Sequence, residues 1–201
     1  MVLVLSALKD DLLAVFQSMR DGGDKAFADK IAAACKKFAE SGSITTVDTG
    51  AVSAGTFTGA GTGGISCDDV PCADAIMAVC TTMTGMTSGG DAYLAAQLAA
   101  AIHNMVLTGE VNCNVTGSVV ALSGTASPLS GTAKGTLTGV LAPMQAAFLS
   151  AFQSMSKMTE GGDDYLAAQM AAAFDAYLKG GIAATQGQGA ISGSAGAGAM
   201  T

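Results

Sequence analysis

One segment of this chain occurs three times, and this repetition constrains the fold more than any other feature. Residues 89–101 read GGDAYLAAQLAAA, residues 161–173 read GGDDYLAAQMAAA, and residues 22–34 hold a more diverged copy, GGDKAFADKIAAA. The Gly-Gly pair ends one element, the Asp that follows can cap a helix, and the Ala, Leu and Gln residues favour helix. A unit that recurs along a chain predicts a row of similar structural units.

Each repeat helix has its apolar residues on one face. In the second copy Leu94, Leu98 and Ile102 recur at every fourth position, which is the spacing of one helical face, and Leu166 and Met170 keep this spacing in the third copy. A second amphipathic helix precedes each Gly-Gly pair. Two amphipathic helices with so short a connection predict an antiparallel hairpin.

A segment rich in Gly, Thr, Ser and Ala follows each repeat helix. The first two segments, residues 50–66 and 117–140, contain the motifs GTFTG and GTLTG, which are typical of short strands between turns. Their composition also suits flexible linkers. The third segment, residues 187–201, has lost most of its β-branched residues, and we expect it to be frayed or ordered by a partner.

These patterns predict an α+β fold of three repeats, each an antiparallel helical hairpin followed by short Gly/Thr-rich strands. We place the first repeat at residues 1–66 and the second at 67–141, with four cysteines and the longer Gly/Thr segment. The third spans residues 142–201 and includes the Gly/Ala-rich tail. Each repeat is too small for a large core of its own, so we expect stacking between units or a homo-oligomer.

Charge and hydropathy argue against several classes of partner. The net charge is −7 with only nine Lys and Arg, and Arg20 is the single arginine, so there is no basic stripe for nucleic acid. No apolar run is long enough to cross a membrane as a helix. The apolar residues 1–5 lack a basic start and are too short for a signal core. We expect them to form a strand or an oligomer contact.

The side chains with possible chemistry form no recognisable catalytic or cofactor-binding set, and we assign no catalytic, cofactor-binding or metal-binding residue. Cys67, Cys72, Cys80 and Cys113 could in principle bind zinc, but they lack the two closely spaced pairs of zinc fingers and ribbons. A Cys67–Cys72 or Cys72–Cys113 disulfide is an alternative in an oxidising medium. His103 stands where the other repeats have polar residues, and we expect it to face solvent.

The order of these segments resembles that of small, uncharacterised virion structural proteins of tailed bacteriophages. The resemblance lies in the opening LKDDLLAVF at residues 8–16, the Ala-rich helix and the Thr/Gly segment GTFTGAGTG at residues 55–63. It covers most of the chain, in three copies. It implies a non-enzymatic component of the head, neck, tail or baseplate that is made in the host cytoplasm and assembles with itself and other virion proteins. No functional residue carries over.

Two other functions remain open at this point. A self-assembling bacterial envelope-associated protein would have a similar composition, although no secretion signal is present. A small-ligand or metal-binding module built on the cysteines of the second repeat would hold metal when purified. We predict no small-molecule substrate.

Overall fold

Helices and strands alternate in pairs along the chain. The computed structural model describes residues 3–121 and 123–201. The elements are α1 Leu5–Ser41, β1 Ile44–Val52, β2 Gly55–Ser66, α2 Val70–Met83, α3 Gly90–Leu107, β3 Glu110–Val120, β4 Ala126–Thr138, α4 Leu141–Met155, α5 Gly162–Lys179, β5 Ile182–Gln188, a 3-10 turn Gly189–Ile191 and β6 Ser194–Met200.

The six strands close into one antiparallel barrel. Each strand pairs with the next in sequence, and β6 returns to pair with β1. The predicted fold class, three helical hairpins each followed by short strands, is therefore wrong. The strands are 7 to 13 residues long and form a single sheet to which every repeat contributes. Local patterns missed this because barrel closure depends on pairing between residues far apart in sequence.

Small residues on the inner face of the barrel allow the strands to approach one another. Gly63, Gly135 and Gly198 occupy the same position in β2, β4 and β6. A Cβ atom on any of them would overlap a backbone carbonyl group of the adjacent strand. Residues that alternate with these glycines point outward and are exposed. The barrel is therefore narrow, and its interior is filled by side chains from the remaining inward positions.

The helices form a second layer, in which each helix contacts its neighbours in a ring. The ring runs α1, α2, α3, α4, α5 and back to α1, while contacts between helices and strands are few. Gly23, with φ of 66° and ψ of 179°, divides α1 into two helical segments. The ring thus contains two helical segments from each repeat.

The core of the helical layer uses the faces that the periodicity predicts. Leu98 and Met170 are each 1% exposed, and both belong to the predicted stripes. The rings of Phe38 and Phe174 lie 5.9 Å apart, and those of Phe174 and Tyr177 lie 6.1 Å apart. Packing of these apolar faces is confirmed.

Of the helices in the described part of the chain, none has both the length and the apolar character to span a membrane.

The C-terminal segment differs from expectation, and residues 3–5 do not form the strand that was one of two expectations for the N-terminal segment. Residues 187–201 are not a frayed or partner-ordered tail, because β6 pairs with both β1 and β5. The alternation of Gly inside and Ala outside lets β6 fit between them despite its weak intrinsic preference for strand. The linker alternative for the first two Gly/Thr segments is also wrong, since both are strands. At the other end Leu5 already begins α1, and residues 1 and 2 lie outside the described residues.

Candidate functional site

Three buried cysteines lie near the boundary between the helical layer and the barrel. Cys35 belongs to α1, Cys67 follows β2, and Cys72 lies in the first turn of α2. Burial raises the pKa of Cys67 and of Cys72 to about 12, with Glu40 adding to the effect on Cys67. Burial also raises the pKa of Cys35 well above its ordinary value. These thiols therefore stay protonated, and a protonated thiol is a poor nucleophile and a poor metal ligand.

The predicted alternatives for the cysteines have no geometry to support them. All five cysteines are free thiols, so neither the Cys67–Cys72 nor the Cys72–Cys113 disulfide is present. Cys80 is half-buried on α2, whereas Cys113 points into the barrel from β3. Among the described residues no group of three or more His, Cys, Asp or Glu side chains is placed to hold a metal ion. The four-cysteine zinc site is thus not assembled.

His103 is half-buried and bonded to a tyrosine, which corrects the expectation that it faces solvent. Its Nδ1 atom lies 2.7 Å from the hydroxyl oxygen of Tyr177, and the two rings meet edge to face. The equivalent residues of the other repeats also make polar contacts: Lys36 pairs with Asp69, the residue before α2, at 2.9 Å, and Asp175 pairs with Lys179. The position lies beside a neighbouring side chain in each repeat. A polar residue at this position predicted exposure to solvent, because its hydrogen-bonding or charged partner lies far away in the sequence or on the next helical turn and could not be recognised.

Burial raises the pKa of Tyr177 to about 12. A hydrogen bond with the backbone of Gly139 opposes this increase, and the thiol of Cys67 adds to it. The tyrosine ring lies against Gly139, where a Cβ atom would overlap it. The phenol is therefore protonated at neutral pH and acts as a hydrogen-bonding group towards His103.

An apolar groove of about 340 Å³ lies between α4 and α5, next to Tyr177. Its other lining residues are Val140, Pro143, Met144, Ala147, Ala173, Ala176 and Gly180. None of these has a charged or nucleophilic side chain. The groove can hold apolar atoms, but Tyr177 is its only polar side chain.

A second polar cluster lies inside the barrel. Asp48 is fully buried, and its Oδ2 atom accepts a hydrogen bond of 2.6 Å from the hydroxyl group of Thr46. The hydroxyl group of Thr185 donates to the other carboxyl oxygen at 3.3 Å. Burial raises the pKa of Cys113 nearby, the Asp48 carboxyl raises it further, and the Thr46 hydroxyl opposes them. The cluster satisfies its own hydrogen bonds, as buried polar groups must.

Asp48, Thr46 and Thr185 were not among the candidate residues predicted from the sequence. Thr46, Cys113 and Thr185 occupy the same position in the three repeats, and the residue two places later is Asp48, Val115 or Gly187. Since Asp48 has the same strand parity as the buried Ile44, period-2 alternation alone indicated that it points inward. That signal was available in the sequence.

The comparisons with known proteins add no relationship to this geometry. No protein-family model matches the chain, and no curated protein or solved structure does so either.

Proposed function

We propose that this chain is a non-enzymatic structural component of a tailed-phage particle, located in the virion after synthesis in the host cytoplasm. The observation on which the proposal rests is the outer wall of the barrel. Outward-facing side chains of the described strands are mostly exposed, small and uncharged, and the two charged ones, Glu110 and Lys134, pair with each other. Such a wall has little charge to desolvate when another protein covers it.

An apolar row crosses this wall and supports assembly of the chain with itself and with other virion proteins. Val47 is 65% exposed and lies between Ala60 on β2 and Ala197 on β6. Ala197 in turn lies opposite Ala184 on β5. These four residues form a continuous apolar row over four strands. Covering this row with another protein would desolvate no charged group.

The state of the reactive side chains supports a non-enzymatic role. Buried thiols with raised pKa values are inert, and the Tyr177 phenol is protonated and hydrogen-bonded to His103. The barrel interior is occupied by its own side chains, with Phe57 and Ile191 fully buried in the half towards the hairpin turns. The Tyr177 phenol lies beside His103 and lines the apolar groove, but with its pKa raised to about 12 it is a weak nucleophile at neutral pH.

A substitution in the apolar row tests the proposed assembly. Light scattering on the unreduced protein should give a defined oligomer for the parent chain, and Val47→Glu should shift it towards the monomer at the same concentration. Ser130→Glu is the matched control, because Ser130 is exposed on β4 away from the row. Equal assembly of the two variants would contradict a contact through the row. A monomer of chain mass with one zinc ion per chain would contradict the structural role itself.

The location in a virion needs a separate measurement. Antibodies raised against the purified chain should label intact particles isolated from an infected host culture. Labelling of the soluble host fraction alone, with none on the particles, would contradict a virion component.

A further inference from the structure

Strand β6 is held in the barrel mainly by its backbone. It reads SAGAGAM, without a β-branched or aromatic residue, and it lies between β1 and β5. Gly and Ala have low preference for strand, and each Gly loses more conformational freedom on ordering than other residues do. Its buried side chains are those of Ser194 and Met200 at the two ends. Between these two ends no side chain anchors the strand in the barrel interior.

The groove that β6 occupies accepts only a particular sequence. Gly196 lies opposite Asp48 on β1 and opposite Thr185 on β5, and a Cβ atom at this position would overlap oxygen atoms of both side chains. Two residues later, a Cβ atom on Gly198 would overlap the carbonyl oxygen of Thr45. The groove between β1 and β5 thus requires Gly-x-Gly with these spacings.

The polar cluster makes the first of these two requirements strict. The Thr185 hydroxyl reaches the carboxyl group of Asp48 across Gly196, so one side-chain hydrogen bond spans three strands. A strand with a larger residue there would separate donor and acceptor and leave both buried without a partner. Ser194, Gly196 and Gly198 together match the groove, and a second copy of the chain offers the same strand.

The connection before β6 has two glycines in left-handed conformations on either side of one buried side chain. Gly189 has φ of 63° and Gly193 has φ of 99°, while Ile191 between them is fully buried and would have to leave the barrel interior together with β6 in any exchange. Glycine changes between such backbone states at little steric cost, and hinge segments of this kind allow an identical element to be exchanged between copies.

We propose that copies of this chain join by exchange of β6, so that the β6 strand of one copy fills the groove between β1 and β5 of the next. This inference rests on the self-assembly in the proposed function and names its mechanism. An exchange that is not reciprocal leaves one donor strand and one open groove at the ends of the assembly. It therefore produces chains or closed rings of copies, whereas reciprocal exchange produces dimers.

A disulfide that locks β6 in its own barrel tests the exchange. Thr45 and Ala199 lie directly opposite each other on the outer faces of β1 and β6, so the double variant Thr45→Cys, Ala199→Cys can form a bond across this pair. The variant is oxidised as a dilute monomer and then concentrated, with and without reductant. We expect the reduced form to assemble like the parent chain and the locked form to remain monomeric.

Oxidation after assembly gives the complementary result. The same variant should then yield a ladder of covalently linked multimers on a denaturing gel. A matched pair within one hairpin, Asn112→Cys with Lys134→Cys on β3 and β4, should give linkage within single chains only. A locked chain that assembles as well as the reduced one would overturn the exchange and leave assembly through the wall intact. Absence of assembly in every form would overturn both.

Discussion

High pH tests the buried state of Tyr177 through the stability of the fold. An unfolded tyrosine has its ordinary pKa of 10, whereas burial raises that of Tyr177 to about 12. Between these values the unfolded chain releases the phenol proton and the folded chain retains it, so the free energy of unfolding falls as the pH rises. At about pH 11 ionisation of the phenol in the unfolded chain favours unfolding about tenfold, which corresponds to a loss of about 1.4 kcal/mol.

The variant Tyr177→Phe isolates this contribution. Urea unfolding of both proteins at about pH 8 and about pH 11 gives four free energies of unfolding. The buried thiols destabilise both proteins at the higher pH, and loss of the His103 hydrogen bond affects the variant at both values, so these effects largely cancel. The stability difference between parent and variant should change by about 1.4 kcal/mol between the two pH values. A difference that is independent of pH would refute the burial of the phenol and with it the packing of α5 against Gly139.

Two further predictions concern barrel closure and the thiols. Removal of residues 194–201 deletes β6 and leaves β1 and β5 each with one unpaired edge, so the shortened chain should unfold or aggregate, as circular dichroism and light scattering would detect. A cooperative, fully folded product would contradict barrel closure. In the native protein at neutral pH a maleimide should react first with the half-buried Cys80, so Cys80→Ser should remove the fast phase of labelling. Peptide mass mapping identifies the labelled residues, and equally fast labelling of Cys35 or Cys72 would contradict their burial.

The helical layer was largely predictable because its determinants are local. Spacing of Leu94, Leu98 and Ile102 identified the buried face, and the Gly-Gly-Asp pattern identified the start of the repeat helices. The role of His103 was not predictable from the same comparison, because its partner Tyr177 is 74 residues away on another helix. The position of a residue on a helical wheel shows which way its side chain points, but it does not show which residue that side chain contacts.

The barrel was not predictable for a different reason. Glycine has a low propensity for strand, so any scale of residue propensities predicts a loop or an unstructured tail for a segment such as SAGAGAM. In this fold Gly63, Gly135 and Gly198 are required because the neighbouring backbone leaves no room for a Cβ atom. Their significance depends on strands that lie far away in sequence. By contrast, the inward position of Asp48 follows from strand parity, a signal that the sequence predictions did not use. The hydroxyl group that meets Asp48 from β5 could not be inferred in this way.

The division of the strands into a glycine-rich inner face and an exposed outer face has a consequence for how this sequence can change. Inner positions such as Gly61 and Gly196 tolerate almost no substitution, because even a methyl group would overlap a neighbouring atom. Outer positions such as Thr49 and Thr132 have no such limit. Selection can therefore alter the surface on alternate residues while the barrel stays the same. A new binding partner would require changes at outer residues alone, and the same positions are the natural ones to randomise in a designed binder.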